Sequence, residues 1–229
     1  MSEIAEQPSP VVVRGSTLRT QVRNAIEDLI VYGTLSPGEH VVEGALAERL
    51  GVSRQPVRES LQMLAGAGFI NLVPGRGAFV HRPTPREVME VFHVRAVLEA
   101  DSAALAARSI EPVVLDQLSE IVANGTRLAA DRGSTESADG DSRTLLELNT
   151  TFHDLITAAG GNRVSRRILD DLERRIAWFL ATIIAGRAAS SWSEHASILE
   201  ALCAGDAQEA SERTRAHILR SLELIEFAI

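Results

Sequence analysis

The sequence has no lysine, a single cysteine and few aromatic residues, which make up 4% of its 229 positions. Cys203 cannot form an internal disulfide, and it has no cysteine neighbour with which to build a thiolate metal site. No apolar run approaches the roughly 18 residues of a membrane helix, and residues 1–13 lack the basic flank and apolar core of a signal peptide. We therefore expect a soluble, cytoplasmic protein whose basic contacts all come from arginine.

Hydrophobic residues at 45% and charged residues at 24% are enough for packed cores, and the length favours two domains. The charge is unevenly distributed. Residues 14–82 carry eight arginines and six acids, a net charge of +2, whereas residues 83–229 carry fifteen arginines and twenty-three acids, a net charge of −8. This asymmetry suits a chain whose first part contacts phosphate while the rest stays away from it.

The pattern of residues 15–82 is typical of a winged helix-turn-helix domain, and residues 1–14 are predicted to be a flexible tail. Apolar residues recur at helical spacing in three short segments. Two apolar runs around a Pro-Gly-Arg-Gly turn then predict a β-hairpin, the wing. The predicted helices cover about 18–33, 43–50 and 53–66, and the predicted strands cover 69–73 and 78–81.

Residues 83–229 are predicted to form an all-helical bundle, so the expected fold class is mainly α. Prolines 83 and 85 mark a linker before the bundle. The segment 133–141, rich in Ser, Gly and Asp, predicts a mobile loop. The predicted helices cover about 86–108, 113–130, 144–159, 163–185, 193–204 and 207–227.

The strongest functional signal lies in residues 46–59, where two short helices joined by a glycine-containing turn would present the second helix to a DNA major groove. Arg54 and Arg58 lie one turn apart beside Gln55, and these side chains can bond guanine and adenine edges bidentately. Arg76, between two glycines at the wing tip, can reach a minor groove or phosphate. The alternative is a helical hairpin whose arginines only solvate a surface, and the Gly-Arg-Gly hairpin that follows favours DNA binding.

In these residues the chain resembles the GntR family of bacterial regulators, whose signature is close to the Gly-Val-Ser-Arg-x-Pro-Val-Arg-Glu of residues 51–59. The resemblance covers about residues 18–81. It implies a homodimer that binds a palindromic double-stranded DNA operator. The implied DNA-binding residues are Arg54 and Arg58, assisted by Arg49, Ser53, Gln55 and Arg76. Gly44 departs from the family, where a polar or basic residue often also touches DNA.

Three histidines are distributed over three predicted helices of the second domain. His153 lies four residues after Asn149 on one helix, so the two side chains point to the same side. His195 begins another helix and His217 lies midway along the last. A surface or hydrogen-bonded role is the usual one for each histidine alone, but together they could close a nitrogen-rich site inside a bundle.

A second resemblance, from residue 85 onward, is to the helical ligand-binding FCD domain of the FadR subfamily. It is carried by the runs at 95–99, 149–153, 160–162, 194–198 and 215–218. The resemblance implies a divalent metal, with zinc first and nickel or manganese as alternatives, held by Asn149, His153, His195 and His217. It also implies a small carboxylate effector that pairs with Arg95, although Arg95 could instead form a salt bridge with Glu99.

The leading hypothesis is therefore a DNA-binding transcriptional regulator, a repressor controlled by a small organic acid, with no enzymatic activity. One alternative is a metal-dependent hydrolase, which would need a positioned general base or nucleophile that the sequence does not supply near the histidines. Another is a regulator whose metal is purely structural and which has no effector.

Overall fold

The computed structural model describes residues 18–131 and 138–226, which form nine helices and three short strands. Mainly helical architecture, with a small three-stranded sheet in the N-terminal part of the chain, confirms the predicted fold class. The elements are α1 (Leu18–Val31), β1 (His40–Val41), α2 (Glu43–Leu50), α3 (Arg54–Gly66), β2 (Ile70–Val73), β3 (Gly77–Val80), α4 (Pro85–Ala107), α5 (Pro112–Asp131), α6 (Ala138–Ala159), α7 (Arg163–Ala181), α8 (Ile184–Cys203) and α9 (Ala207–Glu226).

The helix-turn-helix packs on an antiparallel sheet of strand order β1-β3-β2. β2 and β3 form the predicted hairpin, with Ile70 opposite Val80. Gly75 and Gly77 in its turn have φ values of 72° and 97°, which a residue with a Cβ adopts only with strain. β1 was not predicted, because a two-residue strand is too short for an alternating pattern and is defined only by its pairing with β3.

A capping box starts the first helix of the C-terminal bundle. The Thr84 side chain accepts a bond from the Glu87 backbone N–H, and the Glu87 carboxylate accepts one from the Thr84 N–H. Pro85 occupies the first turn, where its missing N–H costs nothing. α4 therefore begins where the prolines predicted it to begin.

Three boundaries predicted for the bundle are wrong. α7 ends at Ala181, four residues before its predicted end at 185. α6 begins at Ala138, so residues 138–141 are helical and not part of a loop. The rest of that predicted loop, residues 133–137, and the predicted N-terminal tail, residues 1–14, lie outside the described residues. α8 begins at Ile184, nine residues before the predicted start. Gly186 and serines 190, 191 and 193 weaken the helical signal there, but burial of Ile184, Ala188 and Trp192 against Leu145 overrides the low propensity of those residues.

Helix α7 joins the bundle to the DNA-binding domain. The Trp178 ring stacks on Phe69 at the foot of the wing, with ring centroids 5.4 Å apart. Arg174 forms ion pairs with Asp28 and, at 3.6 Å, with Glu27 of α1. One apolar core continues from α1 and α3 through Trp178 into the bundle. The division between domains at residues 82 and 83 stays a prediction.

No helix within the described ranges combines the length and apolar character needed to cross a bilayer.

The packing of α5 on α8 predicts that Gly125→Ala destabilises the protein. A Cβ on Gly125 would lie 2.2 Å from the buried Trp192 ring, so the helices must separate or the ring must move. We expect a loss of about 1–3 kcal/mol in the free energy of unfolding, measured by urea denaturation. Gly186→Ala on α8 is the control, because its Cβ meets nothing within 4 Å and the variant should be no less stable than the wild type. Equal stability of Gly125→Ala and the wild type would contradict this close packing.

Candidate functional site

The six residues predicted to contact DNA are all exposed on the N-terminal domain. Arg49 lies near the end of α2, and Arg76 lies in the turn between β2 and β3. The remaining four, Ser53, Arg54, Gln55 and Arg58, lie at the start and on the first turns of α3. Ser53 occupies the N-cap position of α3, but its side chain makes no capping hydrogen bond, contrary to the expectation for a serine there.

Neighbouring side chains restrain two of these DNA-binding candidates. The Gln55 amide donates to a Glu59 carboxylate oxygen at 2.8 Å. The Arg76 guanidinium lies over the Phe79 ring, 5.6 Å from its centroid, and His40 lies against the same ring at 4.8 Å. These contacts place the Gln55 and Arg76 side chains against neighbours on the exposed surface.

The three histidines meet inside the bundle. His153 on α6, His195 on α8 and His217 on α9 are 6%, 0% and 1% exposed, and their candidate ligand atoms all lie within 4.8 Å of one another. The Nε2 atoms of His195 and His217 are 3.2 Å apart. Sequence spacing alone could not establish this convergence, because it requires α6, α8 and α9 to present one face each to a common point.

Two glutamates hold the outer nitrogens of two of these rings. The Oε2 atom of Glu99 lies 2.7 Å from Nδ1 of His153, and the Oε2 atom of Glu194 lies 2.7 Å from Nδ1 of His217. Each pairing directs the Nε2 atom of its ring inward. Glu99 was expected only as a partner of Arg95, and the role of Glu194 was missed although it stands next to His195 in the sequence.

Burial keeps the three imidazoles neutral. It lowers the pKa of His153 and of His195 below the usual value, and it lowers the pKa of His217 to about 3 although the hydrogen bond to Glu194 opposes the shift. Burial alone would raise the pKa of Glu99, but the charge of Arg95 and the contact with His153 outweigh it and hold that pKa at about 2. A neutral His217 ring that donates from Nδ1 to Glu194 carries a lone pair on Nε2.

This donor set fits a divalent metal ion. Nε2 of His153 is buried and has no hydrogen-bond partner in the described structure. Metal–nitrogen bonds of about 2.0–2.1 Å place two nitrogen ligands of one ion about 2.9–3.4 Å apart, and the 3.2 Å between His195 and His217 falls in that range. Neutral imidazole is also the form that ligates metals. The cluster can therefore hold a metal through its inward-facing nitrogens.

Comparison with known proteins identifies both halves of the chain. The profile described as "FCD domain" matches residues 90–220, and that described as "Bacterial regulatory proteins, gntR family" matches residues 18–80. The chain belongs to the GntR family and carries an FCD domain. It is a transcriptional regulator of that family.

Relatives of this FCD regulator share its length and fold. The HTH-type transcriptional regulator YdhC of Bacillus subtilis is 26% identical over 89% of this chain and 88% of its own. A probable D-xylose utilization operon transcriptional repressor of Paenarthrobacter nicotinovorans is 28% identical over 89% and 86%. The solved structure of Escherichia coli McbR/YncC superposes with a TM-score of 0.75 at 22% identity, covering 91% of this chain and 97% of that one, which establishes a common fold.

Beside the histidines, the FCD domain encloses a cavity of about 30 Å³, room for roughly two water molecules. Arg95 and Asn149, both predicted site residues, are buried and line it. Arg95 donates from Nε to Glu99 at 2.7 Å, the salt bridge weighed as the alternative to effector binding, while its NH1 is buried without a hydrogen-bond partner in the described structure. The other lining residues are Glu99, Thr150, His153, Asp154 and Thr157, with Leu169, Glu173 and Ile176 from α7.

The neutral imidazoles predict how the stability of metal-free protein depends on pH. Their pKa values are lower in the folded chain than in the unfolded chain. As the pH falls below about 6.5, only the unfolded chain takes up protons on these histidines, so the free energy of unfolding decreases. Each such proton lowers the free energy of unfolding by about 1.4 kcal/mol per pH unit. Asp154 acts with the opposite sign, because burial raises its pKa to about 6.

Comparison of variants isolates the histidine contribution. Between about pH 6 and 5, the free energy of unfolding of chelator-treated His195→Gln should fall less steeply than that of the wild type, by up to about 1.4 kcal/mol per pH unit. His93→Gln is the control, since His93 is exposed on α4, and its slope should match the wild type. Parallel slopes for all three proteins would mean that His195 is not held neutral by burial.

Proposed function

We propose that this regulator is a homodimeric repressor whose binding to a palindromic operator is controlled by a small carboxylate bound beside a divalent metal in the FCD domain. The observation that carries the proposal is the convergence of three buried neutral imidazoles with inward-facing nitrogens. Repression is the activity named for the Paenarthrobacter relative. Two-fold symmetry is proposed because paired recognition helices match half-sites about one helical turn apart.

For DNA recognition, we propose that Arg54, Gln55 and Arg58 contact base edges from α3, which would lie in the major groove. Arg49, Ser53 and Arg76 would contact phosphate or the minor groove. Their common exposure on the positively charged domain supports these roles. The acidic C-terminal domain would stay away from the DNA backbone.

For the metal, we propose zinc, with nickel or manganese as alternatives, held by His153, His195, His217 and Asn149. Asn149 lies one turn before His153 on α6 and lines the adjacent cavity. The bound ion would act as a Lewis acid toward an anion. Because none of the four proposed ligands carries a formal charge, the site favours a negatively charged partner.

For the effector, we propose that a carboxylate pairs with NH1 of Arg95, which lacks a partner in the cavity wall. We propose that an organic acid moves the wall of this small, partly open cavity as it binds. Part of that wall belongs to α7, through Leu169, Glu173 and Ile176. The same helix holds the DNA-binding domain through Arg174 and Trp178, which gives effector binding a direct mechanical connection to DNA binding.

We expect metal and effector to share one site. His195→Ala with His217→Ala should abolish both the bound metal, measured by elemental analysis, and the rise in melting temperature that succinate, malate or citrate gives the metal-loaded wild type. His93→Ala is the matched control and should keep both. A double variant that lost its metal yet responded to the acid with undiminished affinity would contradict the shared site. If the wild type binds metal but none of the acids raises its melting temperature, the alternative of a regulator with a purely structural metal is favoured.

We expect Arg174→Ala to separate effector binding from DNA binding. The variant loses the ion pairs to Asp28 and Glu27 but none of the cavity residues, so it should bind metal and acid as the wild type does. The acid-induced change in its affinity for DNA, measured by fluorescence anisotropy on a duplex selected by the wild type, should shrink severalfold. Arg167→Ala, at an exposed position of the same helix, should retain the full change. Full retention in Arg174→Ala would exclude this route.

A further inference from the structure

We propose that Glu43 is a positioning residue for DNA recognition, because its carboxylate binds one edge of the Arg58 guanidinium and leaves the other edge free for a base. The inference rests on the proposed role of Arg58 in contacting DNA. Nothing in the sequence patterns or in the resemblance assigned a role to Glu43. It is the first residue of α2, whereas Arg58 lies on α3.

The Glu43 carboxylate and the Arg58 guanidinium form a bidentate pair. Nε of Arg58 donates to Oε1 and Oε2 of Glu43 at 3.1 and 3.2 Å, and NH2 of Arg58 donates to Oε2 at 2.8 Å. These bonds use the Nε edge of the guanidinium. NH1 and the second hydrogen of NH2 form the opposite edge, which matches an acceptor pair such as O6 and N7 of guanine. Glu43 therefore fixes the plane of the guanidinium without occupying the edge that a base would use.

Restraint matters here because the Arg58 side chain is 57% exposed. A free arginine on such a surface samples many rotamers and loses that freedom when it binds a base. A side chain already held by a carboxylate loses less, so its base contact forms at lower entropic cost. The contribution of the pair to folding is small, as expected for an exposed ion pair, and its effect is on recognition.

Gly44, the next residue of α2, accommodates the other recognition arginine. A Cβ on Gly44 would lie 3.2 Å from NH2 of Arg54, so a larger side chain would displace that guanidinium. Gly44 is the position where the sequence departs from the family pattern. The space that a side chain at residue 44 would occupy is taken in this chain by Arg54. The first two residues of α2 thus place both arginines, one by binding and one by leaving room.

The carboxylate of Glu43 also has an unfavourable effect on DNA binding, and this effect makes the inference testable. Glu43 places a negative charge on the surface that approaches DNA phosphates, and this charge opposes sequence-independent binding. A residue that aids base contacts and opposes phosphate contacts increases the ratio of specific to non-specific affinity. Removal of its charge should therefore move the two affinities in opposite directions.

The test uses full-length protein and a duplex selected by the wild type from random-sequence DNA. Glu43→Gln should bind the selected duplex about tenfold more weakly, within the range for loss of one base contact, and bind an unrelated duplex of the same length equally or more tightly. Repeated selection with Glu43→Gln should relax the same base position as selection with Arg58→Ala. Glu48→Gln is the control, an exposed acid of the same helix, and should keep the wild-type preference.

The contrary outcomes are distinct. If Glu43→Gln binds both duplexes more tightly, Glu43 only repels phosphate and the inference is overturned. If both affinities fall together with the melting temperature, Glu43 only stabilises the domain and the inference is again overturned. If the wild type selects no sequence, or Arg58→Ala keeps the wild-type preference, the proposed function of Arg58 itself fails.

Discussion

The arrangement of the C-terminal domain around its histidines depends on two glutamate–histidine contacts inside the bundle. Glu99 contacts His153, and Glu194 contacts His217. Each glutamate is also bound by arginine, Glu99 by Arg95 and Glu194 by Arg187 and Arg220. Glu99 and Arg95 form a buried ion pair, and removal of one partner of such a pair typically destabilises a protein by about 3–5 kcal/mol, because the remaining charge is left uncompensated. Apolar residues of similar volume would generally be no less stable. The presence of this arrangement around inward-facing imidazole nitrogens supports the proposed metal site.

The same network explains how one ion could affect DNA binding at a distance. The histidines lie on α6, α8 and α9, and Glu99 and Arg95 connect them to α4, the helix that follows the linker from the wing. α7 closes the cavity on one face and holds α1 on the other through Arg174. Packed helices have few alternative arrangements, so the proposed movement of the cavity wall would reach the DNA-binding domain instead of being absorbed locally.

Sequence patterns predicted the helix-turn-helix, the hairpin and the start of α4 to within one residue, because these elements are defined by local chemistry. The three histidines were identified as candidates, but their convergence depends on long-range packing, and their ligand roles came from a family resemblance. Three features depend on tertiary contacts and could not be predicted from local sequence. β1 exists only by pairing with β3, the first turns of α8 form because Ile184 and Trp192 are buried, and Glu194 gains its role from a helix 23 residues away. Gly44 could be recognised as unusual, but its relation to Arg54 requires the packing of α2 on α3.

The most direct test of effector control is the affinity of the metal-loaded protein for the acid, measured by calorimetry with and without saturating operator duplex. Coupling between two sites is reciprocal, so an acid that changes operator affinity by a given factor must itself bind more weakly or more tightly by that factor when the operator is bound. We predict a severalfold difference between the two titrations, and its disappearance when the metal is removed. Equal acid affinity with and without operator would contradict the proposed control.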